Sequence, residues 1–250
     1  MGFQMELKSF IDVLSRVGMV LQCVLVTVLL GRKAWRRYPV FTGYAVFSFV
    51  MVVFFYFLKL RPAIRFYSYW VEEAIAMILG FAVVYEVFQH LFSAHKALLK
   101  LAGLIFRWTV AALFCLALVV ILVQSPGASS LGKAVLVLEE ATRIVEVGLL
   151  MFLFGASAAF GLHWRQAEFG IALGLGLFVA IQLTTVTLLS QLGKSAWEVL
   201  NVVRIFAFDT SLLVWLGYLL APERATSGGE VPKRAQLEQW NQAVTELISR

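Results

Sequence analysis

Residues 9–37 read SFIDVLSRVGMVLQCVLVTVLLGRKAWRR, and this stretch decides the fold. From Val17 to Leu30 it carries no charge, and it then breaks into Arg32, Lys33, Arg36 and Arg37. A helix needs about 20 predominantly apolar residues to cross the hydrocarbon core of a bilayer. Basic residues at the end of such a run fix its orientation. No small-residue cleavage site follows the apolar stretch, so it reads as an uncleaved first span rather than a signal peptide.

Working outward, the same pattern recurs. Apolar runs fall at about 10–30, 40–58, 67–92, 107–124, 135–160, 168–190 and 196–220. The breaks between them are polar or basic: GRKAWRRYP, KLRPAIR, HLFSAHKALLK, QSPGASSLGK, HWRQAE and SQLGK. The expected fold is therefore all-α, a polytopic bundle of seven transmembrane helices over residues 1–221. Composition agrees. Hydrophobic residues make up 61% of the chain and charged residues 14%, whereas a soluble domain carries about 25% charged residues. Strict alternation, the mark of a membrane β-barrel, is absent.

The net charge of +6 is no nucleic-acid footprint, because its basic residues sit in short loops beside apolar runs. Cys23 and Cys115 fall inside such runs and read as buried small hydrophobes. Counting Lys and Arg in the loops gives twelve on the side of Arg32 and six on the other. The N-terminus is then outside and the C-terminus cytoplasmic, in a bacterial-type inner membrane. The loop KLRPAIR pulls the opposite way.

After Pro222 the chemistry changes. Residues 222–232 form a Gly, Ser and Pro-rich linker. Residues 233–250 place Leu237, Trp240, Val244, Leu247 and Ile248 at helical spacing. This predicts a cytoplasmic amphipathic helix, lying on the membrane or the bundle, or docking a protein partner.

Ionisable groups inside the spans are costly and usually face a bundle interior. Here they crowd one half: Asp12 and Arg16; Glu72 and Glu73; Glu139, Glu140, Arg143 and Glu146; Glu198 and Arg204. Asp209 lies near the middle of the seventh span and Glu86 deeper in the third. Asp12 and Arg16 are spaced to pair on one helix face, and Glu139, Arg143 and Glu146 form a carboxylate–guanidinium–carboxylate stripe. Glu72 and Glu86, two heptads apart, share a face. Carboxylates outnumber Arg, which predicts a polar cavity open to the outside and lined by spans three, five and seven. Its expected ligand-binding residues are Glu72, Glu73, Glu139, Arg143, Glu146, Glu198, Arg204 and Asp209, with Glu86 and Asp209 as proton-relay candidates. The competing reading keeps the carboxylates near span starts solvated at helix N-termini and makes the deeper charges structural ion pairs.

Cofactor chemistry finds no foothold in the sequence. His90, His95 and His163 map to span ends or loops, which disfavours haem. No Cys pair has zinc spacing, and no phosphate-loop or dinucleotide glycine signature occurs. Gly170, Gly174 and Gly176 make a small-residue surface for close helix approach. Helix count resembles that of microbial rhodopsins, but the last span holds Arg204 and Asp209 where a Schiff-base lysine is needed, which disfavours retinal.

RRYPVFTGYAVFSF at 36–49, FYSYWVEEAIAMILGFAVVYEVF at 66–88 and LEQWNQAV at 237–244 resemble an uncharacterised group of bacterial seven-helix integral membrane proteins. The resemblance implies the fold and brings no activity with it. Tyr69 to Glu73 and Glu86 are the positions it marks for testing.

Functionally, the sequence points first to a sensor or receptor-like module signalling through a separate protein. A proton, cation or small-solute transporter and an accessory subunit of a larger membrane complex are the alternatives. An enzyme ranks lowest, since no nucleophile–base pair occurs at recognisable spacing. The expected partners are the lipid bilayer, a protein bound through 233–250 and a second copy of the chain.

Overall fold

In the computed structural model the described residues are 2–57, 62–93, 128–159, 166–192 and 197–221, with single positions and short stretches between 100 and 119. Among the described residues six α-helices have defined bounds: α1 (Gly2–Gly31), α2 (Pro39–Phe57), α3 (Pro62–Leu91), α4 (Ala128–Ala159), α5 (Gln166–Leu192) and α6 (Trp197–Leu220). A 3-10 turn, Ala34–Arg36, joins α1 to α2. No strand occurs among the described residues.

Five of these helices are long and apolar enough to cross a membrane, over Ser9–Gly31, Pro39–Phe57, Glu140–Ala159, Gln166–Leu189 and Trp197–Leu220. They match the first, second, fifth, sixth and seventh apolar runs. The third run is a helix of 30 residues but is not among the five. Its apolar stretch is interrupted by Glu73 and Glu86, with twelve uncharged residues, about 18 Å of helix, between them. The described positions between 103 and 119 are helical; the rest of the fourth run lies outside the described residues. So does the whole of 222–250, with its linker and amphipathic helix.

Helices α1, α2, α3, α5 and α6 close a ring in which each packs on its neighbours, and α4 lies against α3 and α5. In lipid the hydrophobic effect does not drive helices together, so close packing and polar bonds must do so. On α1, Gly18, Gln22, Leu25 and Leu29 face inward, while Phe10, Val13, Val17, Val20 and Val24 are exposed three or four residues apart. That outer stripe has the chemistry of a lipid-facing surface. Cys23 and Cys115 are exposed, and both are free thiols. This corrects the reading that both are buried: in a membrane protein an apolar residue suits the lipid face as well as the core. Asp12 and Arg16 are also exposed, with no ion pair between them among the described residues.

Trp215 of α6 is the centre of the ring. Its indole Nε1–H donates to the Ile171 carbonyl of α5 at 3.2 Å. Its ring meets Phe41 edge-on at 5.2 Å and Tyr44 at 6.2 Å, both from α2. Such aromatic contacts each add about 0.5–1.5 kcal/mol beyond burial. The small-residue surface makes this possible. A Cβ on Gly174 would fall inside van der Waals contact of the Trp215 indole, and one on Gly170 would collide with Tyr218. Gly176 points instead to Leu150 of α4, where a Cβ would sit 3.8 Å away.

The α5–α6 seam therefore makes a sharp prediction. Gly174→Ala overpacks a boxed indole and costs about 1–3 kcal/mol, seen as a lower thermal unfolding midpoint in detergent. Gly176→Ala meets only ordinary contact and leaves the midpoint near wild type. Equal effects would contradict the close approach at Trp215.

Candidate polar site

Helix geometry places Arg143 and Glu146 one turn apart on α4, and α3 runs parallel beside it. The Arg143 guanidinium donates through Nη1 to Glu146 Oε2 at 2.9 Å and through Nη2 to Glu73 Oε1 at 2.6 Å. Both are ion pairs, and all three residues are buried, Glu146 completely. Tyr44 of α2 brings its buried phenol into the field of these three charges, with Ser48 beside its hydroxyl. Gly80 of α3 makes the room, since a Cβ there would lie 2.5 Å from Glu146 Oε1. That oxygen has no hydrogen-bond partner among the described residues. The network thus holds one more carboxylate than guanidinium across a helix–helix seam.

Sequence spacing suggested an Arg143 stripe along a single helix. The structure keeps the Glu146 half of it and adds Glu73 from the neighbouring helix. Glu139 belongs to α4, but its side chain lies outside the described residues. On α3 the buried acids are Glu73 and Glu86 rather than Glu72 and Glu86. Thirteen residues at 100° each put them about 140° apart, so Glu73 turns to α4 and Glu86 to α2.

Glu86 has a definite task. Its two oxygens accept the backbone N–H groups of Val40 and Phe41, each at 2.9 Å. These are N-terminal amides of α2 that have no partner within their own helix, and a carboxylate there also suits the helix dipole. Pro39 precedes them at the first helical position, where its missing N–H costs nothing. His90, one turn beyond Glu86, donates from Nδ1 to the Glu86 carbonyl at 2.8 Å.

Asp209 lies apart from the triad. It is buried on α6 against Gly18 of α1, whose missing Cβ leaves space for its carboxylate. Neither oxygen has a hydrogen-bond partner among the described residues. Glu72, Glu198 and Arg204 are half-buried. Glu140, also half-buried, accepts from the Thr187 hydroxyl of α5 at 3.0 Å.

A second polar cluster, at the end of the bundle where α1 meets α2, escaped the sequence reading. Glu168, buried in the first turn of α5, accepts from the Tyr38 hydroxyl at 3.4 Å and pairs with Arg37 at 3.6 Å. The Arg32 guanidinium donates to the carbonyls of Leu219 at 2.5 Å and Leu220 at 3.3 Å, at the C-terminus of α6. An acid in the first turn of one span, with arginines at the turn between two others, was the available signal. It is weak because the partners are far apart in sequence.

Comparison with known proteins adds no further constraint: no family model, no curated protein and no solved structure matches the chain.

The triad can be tested directly. Arg143→Met strands Glu73 and Glu146 without a counter-charge and costs about 3–5 kcal/mol, read as a drop in unfolding midpoint. Adding Glu73→Gln to Arg143→Met recovers part of the loss. If the double variant is no more stable than the single one, the α3–α4 ion pair is not the coupling.

Proposed function

We propose that this chain is an integral membrane sensor-like module whose responsive element is the Glu73–Arg143–Glu146 network. One observation carries this reading: a buried guanidinium ties two helices through two carboxylates, and one carboxylate oxygen has no hydrogen-bond partner among the described residues. A surplus acid at such a seam suits a small cationic or hydrogen-bond-donating ligand, whose arrival would redistribute the ion pairs between α3 and α4. Glu72, Glu140 and Glu198, nearer the opposite end from the basic turn, form the approach. In this reading α3 and the segment around 103–119 complete seven spans. The N-terminus is outside, and residues 233–250 form a cytoplasmic amphipathic helix that meets a separate output protein. Helix α6 is the transmitting element, because it leads directly into that segment and is tied to α1 by Arg32.

A second reading rests on Asp209. A buried carboxylate whose two oxygens have no hydrogen-bond partner among the described residues is also what a proton or cation conduit places in a span.

Two measurements separate them. In proteoliposomes carrying a pH-sensitive dye, a sensor shows proton flux no greater than empty vesicles. Flux in the wild type that is lost in Glu146→Gln and Asp209→Asn would replace the sensor with a transporter. In detergent, a panel of small organic cations is screened by thermal shift. At least one is expected to stabilise the wild type by about 3 kcal/mol when present at 100-fold its dissociation constant, with the gain lost in Glu146→Gln. No shift across the panel would count against the ligand class.

A further inference from the structure

We propose that the turn between α1 and α2 is a preorganised docking surface for anionic phospholipid headgroups. The turn lies where two membrane-crossing stretches, Ser9–Gly31 and Pro39–Phe57, end and begin, so it sits at a membrane face. Its backbone is set. Lys33 takes the left-handed conformation at φ 54°, and Ala34–Arg36 follow as a single 3-10 turn.

This path sorts the charges. Among the described residues the acids at this end face inward and are engaged: Glu86 by the amides of Val40 and Phe41, Glu168 by Tyr38 and Arg37. The cations Lys33 and Arg36 face outward and are exposed. Trp35 between them is 47% exposed, and the Arg36 guanidinium lies over its ring at 5.3 Å. An indole at headgroup level is a membrane-interface anchor, and a guanidinium held on it offers a planar fork matched to a phosphodiester. Arg32, bonded to the last carbonyls of α6, holds the turn against the bundle. A surface with its negative charge turned inward and its positive charge fixed outward is complementary to an anionic leaflet.

The experiment uses the full chain in neutral detergent micelles doped with phosphatidylglycerol or phosphatidylcholine, followed by thermal unfolding. Phosphatidylglycerol is expected to raise the midpoint at concentrations where phosphatidylcholine does not. Arg36→Gln should require about fivefold more phosphatidylglycerol for the same shift. Arg16→Gln removes one exposed cation about 22 Å along α1 from Gly31 and should leave the response unchanged. The wild-type shift should collapse at about 0.5 M salt. Equal shifts with the two lipids, or equal responses of Arg36→Gln and Arg16→Gln, would overturn the proposal. So would an equal shift from inorganic phosphate alone, which would make the surface a free-anion site. Should Arg36→Gln not fold, Lys33→Gln and the salt titration of the wild type decide the matter by the same criteria.

Discussion

Helix ends that fall among packed helices cannot leave their backbone groups to water, and this constraint organises the bundle. The N-terminal amides of α2 are met by Glu86 of α3, and the C-terminal carbonyls of α6 by Arg32 at the end of α1. Each contact joins two helices that are distant in sequence or run in opposite directions. Together they fix the α1–α2 turn, and with it the entry of α2 and the exit of α6. Each of these charges supplies what a helix terminus lacks.

Within that frame two acidic sites lie deeper among the packed helices. The first is the Glu73–Arg143–Glu146 network, which couples α3 to α4 near mid-bundle, with Tyr44 of α2 in its field. The second is Asp209, set between α1 and α6 with no hydrogen-bond partner among the described residues. The two lie on different helix pairs. Trp215, packed on α2 and bonded to α5, is a contact that the ring helices share.

Glycines make these approaches feasible. Gly18, Gly80, Gly170 and Gly174 each face a large or charged side chain of a neighbouring helix, and a Cβ at any of them would meet it. In a lipid environment such close contact replaces the hydrophobic drive that packs a soluble core.

Much of the architecture was legible in the sequence. Apolar run length located α1, α2, α4, α5 and α6, because a bilayer imposes one length scale on every crossing helix. Arg143 and Glu146 were identifiable as partners because i,i+3 neighbours on a helix are adjacent whatever surrounds them. What spacing along one chain does not reveal is which neighbour a side chain turns to. Only the tertiary structure gave Arg143 its bond to Glu73, gave Glu86 to the amides of α2, and brought Glu168 to Tyr38 and Arg37. It also put Cys23 and Cys115 on the outside, since hydropathy does not separate lipid from core. The apolar run ending in GRKAWRR was thus enough to declare a membrane helix and its basic end. That acids of α3 and α5 turn inward beside this end while Lys33 and Arg36 face outward was decided by helices packed from elsewhere in the chain, because polar groups out of reach of water must find their partners in three dimensions.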